Sequence, residues 1–337
     1  MAIDRIDMFS DPRVEHKTAN LNGHTYHYVL GEPKEAVKGT IFLIHGWPDC
    51  AAGWRYQIPA LIELGFRVVV PDLMGFAGTD APKVPPNSIS LYSHKRAADD
   101  FEELARQLGV SNIILGGHDW GGSVVWRMAL WKPDLVTHVF SVCTPYTPPQ
   151  KDYVSLEDLV KGPLPQFAYQ LHLASPEVEG RIQSKEDIRQ FLKGMFGGRG
   201  PNGELVFEAE KGILFDSLPK LGDTPLMTPK ELDYYVEQYS RNGLHGTMNW
   251  YRTRKVNWEE ELQLNKTTID QPSLFIQATR DLVLKPEMAR GMQKYMTHFS
   301  YGEVEATHWA LVQKPQEVNA IITQWLNEVV LGGRSKL

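Results

Sequence analysis

The chain has 337 residues, enough for one large domain or two modest ones built around a substantial core. Hydrophobic residues make up 42% and charged residues 23%, the profile of an ordinary globular protein. The formal net charge of -6 leaves no basic footprint for nucleic acid or anionic lipid, and apolar runs such as residues 136–142 are too short to span a bilayer.

Taken in chain order, the first signal is Asn22-Gly23 between two alternating segments in residues 18–30, which predicts a hairpin. Short apolar, β-branched runs follow at 40–44, 67–70, 112–115 and 136–142. Runs of that kind suit strands buried on both faces of a mostly parallel sheet. Between them, residues 91–108 place Phe101, Leu104, Ala105 and Leu108 on one helical face. The pattern changes after about residue 147, where Pro and polar residues dominate and the next hundred residues read as short helices. Residues 197–203 are a glycine-rich loop, and Thr228-Pro229 with Glu231 is a capping-box start for a helix. Strand character returns at 273–278 and 300–304, and residues 315–330 close with an amphipathic helix. The expected architecture is therefore an α/β core, residues 1–146 and 258–337, with helices on both faces of its sheet. A helical insertion at 147–257 is expected to sit above that sheet as a lid.

Cys50 and Cys143 have no CxxC spacing and no His/Cys cluster in sequence, so both are expected to be small buried apolar residues. The start, Met1-Ala2-Ile3-Asp4-Arg5, lacks the apolar stretch of a secretory signal. Both features point to a reducing intracellular compartment. The last three residues, Ser335-Lys336-Leu337, read as a peroxisomal address, so recognition by the peroxisomal import receptor is expected, with some residence in the cytosol.

The chemistry concentrates in three places. Gly116-Gly117-His118-Asp119-Trp120-Gly121-Gly122 follows one predicted strand and precedes a helix-like segment, the pattern of a nucleophile elbow with Asp at its centre. Small residues are needed there because the turn is too tight for side chains, and the strain lifts the central residue clear of the sheet. Elbows of this kind carry their triad in the order nucleophile, acid, histidine. Asp281, ending the Thr279-Arg280-Asp281 turn after one predicted strand, and His308, after the next, fill the remaining places in that order. The alternative seat for the acid, one strand earlier, holds Val142-Cys143-Thr144-Pro145 and offers no carboxylate. Finally, His45-Gly46-Trp47-Pro48 directly follows a strand, so the backbone N–H groups of Trp47 and Trp120 are expected to form an oxyanion hole. His45 itself is expected to brace the loop and to carry no proton in the reaction.

These motifs resemble those of the soluble epoxide hydrolases, the Asp-nucleophile branch of the α/β-hydrolase fold superfamily, and the similarity runs over nearly the whole chain. The segment Gly75-Phe76-Ala77-Gly78-Thr79 also fits that family's small-x-small-x-Ser/Thr turn, with Ala77 where glycine is usual. The extra N-terminal phosphatase domain of some animal members is not matched, so that second activity is not expected.

The resemblance implies that Phe167-Ala168-Tyr169-Gln170-Leu171 and Asn249-Trp250-Tyr251-Arg252 bring two tyrosines, Tyr169 and Tyr251, to an epoxide oxygen. A phenol, with an ordinary pKa of about 10, stays protonated at neutral pH and can donate to a developing alkoxide. Phe167 and Trp309 are expected to line an apolar substrate pocket. The implied reaction consumes a small apolar epoxide and water, with no cofactor and no metal.

Two other readings stay open. Haloalkane dehalogenases share the Asp, Asp and His but usually carry Asn in the position of Trp47. A ligand receptor on a hydrolase fold would bind without turnover. The fluoroacetate-type dehalogenases carry arginines just after the nucleophile, where this chain has Trp120-Gly121-Gly122-Ser123.

Overall fold

Asn22 and Gly23 both have positive φ, 49° and 91°. They make the two-residue turn that joins strand β1 (Val14–Leu21) to β2 (His24–Gly31) in an antiparallel hairpin. The computed structural model describes residues 3–332. Ser335, Lys336 and Leu337, with the expected peroxisomal address, lie outside the described residues.

Six further strands complete the main sheet and two form a small hairpin: β3 (Gly39–Ile44), β4 (Phe66–Pro71), β5 (Ile113–His118), β6 (Val136–Val142), β7 (Phe207–Glu208), β8 (Gly212–Ile213), β9 (Ser273–Ala278) and β10 (Phe299–Val304). The eight-stranded sheet runs β1-β2-β4-β3-β5-β6-β9-β10. Every pairing from β4 to β10 is parallel, whereas β2 pairs antiparallel with both neighbours. Ile41, Phe42, Leu43 and Ile44 of β3 are fully buried, as central parallel strands require. The helix His94–Gln107 turns Ala97, Ala98, Phe101, Leu104 and Ala105 inward. The helix Trp120–Trp131 packs on β5 and β6, and Pro315–Trp325 packs on β9 and β10. The chain leaves β3 for β4 on one side and later returns to β5 on the other. The carboxyl ends of β3 and β5 therefore flank the switch in strand order, the usual place for a site in such sheets.

The chain forms two compact units. One holds Met1–Leu73, His94–Pro149 and Gln263–Leu337, and the other holds Met74–Ser93 and Gln150–Leu262. The second unit thus includes a segment, Met74–Ser93, that lies within the expected core range, and its other limits differ by a few residues from 147–257. The physical reason is close backbone packing within that unit. A Cβ on Gly75 would lie 2.5 Å from the carbonyl carbon of Gly246, so two glycines let the strands of chain touch. Trp250 Nε1 donates to the Met74 carbonyl at 2.9 Å, and Asn242 Nδ2 donates to the carbonyls of Ala77 and Thr79. The expected helix start at Thr228 is a complete capping box: Glu231 N–H donates to Thr228 Oγ1 and Thr228 N–H to Glu231 Oε2, opening the helix Pro229–Asn242. Among the described residues, no helix is long and apolar enough to cross a membrane.

Candidate active site

β5 delivers the chain to Asp119, which has φ 55° and ψ -122°, a conformation that residues with side chains rarely adopt. The surrounding glycines make the turn possible. A Cβ on Gly117 would lie 2.3 Å from the Gly121 carbonyl oxygen, and one on Gly121 would lie 2.0 Å from the Ile44 carbonyl oxygen. One on Gly122 would meet the Thr144 Cβ at 2.5 Å. An Asp at a helix N-cap ordinarily accepts amide bonds from the first turn. Asp119 makes none, so its carboxylate is free for other partners.

The first partner is the loop after β3. Trp47 N–H donates to Asp119 Oδ1 at 2.7 Å, across a cis Trp47-Pro48 segment. The approach demands Gly46, because a Cβ there would fall 2.3 Å from the Asp119 Cβ. Trp120 is the first residue of the helix that Asp119 opens, so its N–H stands at the helix start beside the nucleophile elbow. Thr144 Oγ1 donates to the Asp119 carbonyl at 2.8 Å and holds the elbow from β6.

The second partner is His308, whose Nε2 lies 3.4 Å from Asp119 Oδ2. Its other nitrogen, Nδ1, lies 2.7 Å from Asp281 Oδ2. Asp281 Oδ1 accepts the N–H groups of Val283 and Leu284 at 2.9 and 3.0 Å, which fixes the acid. Burial opposes charge on both carboxyls, yet His308 and the backbone donors hold Asp119 and Asp281 below the usual carboxylate range. Burial likewise opposes charge on His308, but Asp281 and Asp119 outweigh it and hold the imidazole well above its ordinary value. The two carboxylates thus favour the charged form of His308. The Asp119 and His308 side chains keep 14% and 17% of their exposure against 1% for Asp281, so the reacting groups are accessible and the orienting one is not.

Two further histidines flank the triad. His45 is fully buried, with Nδ1 2.9 Å from the Gly46 carbonyl and Nε2 accepting Leu73 N–H at 3.0 Å, so it braces the loop. His118 Nε2 lies 2.8 Å from the His308 carbonyl, and burial holds its pKa below the ordinary imidazole value. Neutral His118 must therefore donate through Nε2 and anchor the backbone of His308. Neither Thr144 nor His118 was singled out by the sequence, although His118 stands beside the nucleophile in the elbow motif. Trp309 packs edge-on to His308 at 5.6 Å. His118, Cys143 and His308 also bring three potential metal-ligand atoms within 4.8 Å of one another. His308 is already held by Asp281, and burial pushes the Cys143 thiol well up, so the thiolate a metal needs is disfavoured.

In the second unit the two predicted tyrosines meet. Tyr169, on the helix Ala168–Ala174, and Tyr251, on the 3₁₀ turn Asn249–Arg252, stand ring edge to ring face with centroids 6.0 Å apart. Each is buried. Phe167 and Phe207 pack edge-on to Tyr169 at 6.4 and 5.2 Å, and Gln170 Nε2 donates to its hydroxyl at 3.3 Å. Phe167 thus belongs with the tyrosines, whereas Trp309 belongs with the triad.

Comparison with known proteins places this geometry in context. The family model described as the alpha/beta hydrolase fold matches residues 39–315. Epoxide hydrolase srdG of Neurospora crassa is 40% identical over 336 residues, covering 94% of this chain and 97% of the relative. Bifunctional epoxide hydrolase 2 of Mus musculus is 34% identical over 86% of this chain, which spans only 51% of that protein. Among solved structures, Epoxide Hydrolase A from Mycobacterium thermoresistibile matches with a TM-score of 0.77 at 28% identity, over 93% of this chain and 98% of that one.

Proposed function

This chain belongs to the α/β-hydrolase fold family, among its epoxide hydrolases, and from that premise we propose that it opens epoxides to vicinal diols in two steps run by Asp119 and His308. The observation that carries the assignment of roles is the contact set of Asp119: a backbone N–H on one carboxylate oxygen and a carboxylate-oriented imidazole on the other. In the first step Asp119 attacks an epoxide carbon, the ring C–O bond breaks, and a hydroxyalkyl ester forms. Tyr169 and Tyr251 are assigned the protonation of the departing oxygen, and their mutual packing supports a shared task. In the second step His308, oriented by Asp281, takes a proton from water that attacks the Asp119 carbonyl. The Trp47 and Trp120 N–H groups stabilise the oxyanion, and its collapse breaks the ester C–O bond. The departing oxygen takes the proton from His308 to complete the diol, and the proton left on the Asp119 carboxyl returns to the tyrosine that donated in the first step.

The ester step also resolves an apparent conflict. A protonated His308 cannot act as base, yet the two carboxylates favour its protonated form. Esterification removes the charge on Asp119, and with it one of the two supports of the imidazolium. His308 then loses its proton more readily at the moment the base is needed.

A parallel turnover assay tests the reading. Styrene oxide should yield diol, and a short bromoalkane should release no halide. Halide without diol would keep Asp119, Asp281 and His308 but remove the assigned task of both tyrosines. Removal of epoxides from the cell as a detoxifying activity, and import into the peroxisome through Ser335-Lys336-Leu337, are further parts of this proposal. Purely cytosolic fluorescence from a protein fused to the last ten or so residues would sink the address.

A further inference from the structure

A file of polar groups in the first unit runs from its N-terminal turn to the loop that carries the oxyanion donor. It starts at the Met8 carbonyl, 2.8 Å from His16 Nε2 on β1. His16 Nδ1 lies 2.9 Å from His27 Nε2 on β2, with the two rings stacked at 5.1 Å. His27 Nδ1 lies 2.5 Å from Asp72 Oδ2, just past β4. Asp72 Oδ1 accepts Ala51 N–H at 2.8 Å and lies 3.6 Å from His45 Nε2.

Counting hydrogens along this file gives its charge. The Met8 carbonyl only accepts, so His16 Nε2 carries a hydrogen. A carboxylate only accepts, so His27 Nδ1 carries another. A third must lie between His16 Nδ1 and His27 Nε2. Two neutral imidazoles hold two ring hydrogens, so the complete file holds one proton more, balanced by Asp72. Burial opposes charge on Asp72, but His27 and the Ala51 N–H keep it below the usual carboxylate range, in keeping with the ionised form.

This order reaches His45 through the backbone, because Leu73 follows Asp72 in the chain and its N–H donates to His45 Nε2. Because that Nε2 accepts Leu73 N–H, the ring's hydrogen sits on Nδ1 and donates to the Gly46 carbonyl. That carbonyl belongs to the same peptide unit as the Trp47 N–H, which points at Asp119 Oδ1. A planar trans peptide directs its C=O and N–H oppositely, so holding one aims the other.

We propose that His16, His27 and Asp72 form a proton-sharing brace that, through His45, positions the Trp47 N–H for ester hydrolysis. All four are positioning residues, since none touches the reacting atoms, and the inference rests on Trp47 serving as oxyanion donor in the mechanism above. The other titratable groups around the brace are Asp7 and Asp11 in the turn that carries Met8, and Cys50, Asp49 and Arg55 in the segment after β3. Glu15 and Lys17 on β1 pair with each other.

The test has two arms. Ring nitrogen NMR on ¹⁵N-histidine protein at neutral pH should find three ring hydrogens on His16 and His27 together, and two neutral rings would overturn the brace whatever any variant does. In single-turnover runs with styrene oxide, with ester followed by intact mass, His27→Phe should slow ester hydrolysis about tenfold, part of the 10²- to 10³-fold that loss of a whole oxyanion donor costs. Ester formation should stay within about twofold, and His16→Gln, which keeps a donor for Met8 and an acceptor for His27, should retain the wild-type rate. Equal slowing of both steps, or a His27→Phe enzyme that hydrolyses the ester at the wild-type rate, would overturn the proposal. A wild-type protein that forms no ester would instead count against the assigned chemistry, and the NMR hydrogen count would still decide the brace.

Discussion

Around Asp119 the reacting groups are ions held by strand ends, whereas Tyr169 and Tyr251 are buried phenols packed among aromatic rings on short helical turns. Asp119 hangs on the Trp47 amide, the Thr144 hydroxyl and His308. Tyr169 is seated by Phe167, Phe207 and the Tyr251 ring. The difference fits the tasks proposed for them. A nucleophile and a base must hold a defined charge state in a fixed direction, which backbone donors at the switch point of a parallel sheet provide. An acid toward a weakly basic oxygen must stay protonated, which a phenol among apolar rings does without a charged partner.

The comparison breaks most completely if the ionic half is removed. Asp119→Ala should form no ester and lose turnover on the order of 10⁴-fold or more, the scale set by deleting a nucleophile that acts within a unit. His308→Gln should lose comparable turnover yet gain, on intact mass measurement, the mass of one epoxide, because ester formation survives and hydrolysis does not. Steady turnover at the wild-type rate from either variant would sink the two-step scheme. Tyr169→Phe with Tyr251→Phe should slow ester formation roughly 10²- to 10⁴-fold, the range of general acid catalysis, with an unchanged circular dichroism spectrum. A double variant that forms ester at the normal rate would leave the phenols as packing alone.

The sign of the pH dependence sharpens the same contrast. Asp119 lies below the usual carboxylate range, so ester formation should stay level as pH falls toward about 4. Without His308 that support is gone, and in His308→Gln the acid limb should move up toward the ordinary range. Ester hydrolysis needs neutral His308 and should rise with pH in wild type. Its ionisation should lie lower in the ester than in the free enzyme, where both carboxylates hold the proton. Single-turnover rates of the two steps across pH would read both limbs, and identical limbs in both steps would refute the switching of His308.

What was legible in the sequence is what local chemistry dictates. Asn22-Gly23 specified a turn, Thr228 and Glu231 a helix start, and the glycines around Asp119 an elbow, because each motif satisfies its own backbone. The triad was legible because strand order constrains where Asp281 and His308 can stand. Membership of Met74–Ser93 in the second unit was not, since it depends on Gly75 meeting Gly246 across a long stretch of chain. Gly75 was visible as a turn residue, but nothing in its neighbourhood names its partner. The brace escaped for a similar reason: His16 and His27 come from two strands and Asp72 from the turn just past a third, and their spacing follows no motif. Tyr169 and Tyr251 were named by resemblance alone, because among thirteen tyrosines no periodicity marks these two.

The smallest effect concerns Thr144, which the structure adds to the ionic half. Its hydroxyl reaches the carbonyl of Asp119, not the carboxylate, so it supports the strained backbone and stays out of the reaction. Thr144→Val keeps the shape and leaves that carbonyl one bond poorer, although Ser123 N–H still donates to it at 3.2 Å. The expected cost is about 1 kcal/mol of stability, the net value of one such bond, read as a lower denaturant midpoint. Both chemical steps should slow by less than about fivefold, since that energy is shared between the folded backbone and the reacting geometry. A loss approaching that of His308→Gln would mean that the elbow depends on Thr144 for its conformation and that the glycines alone do not hold Asp119 in place.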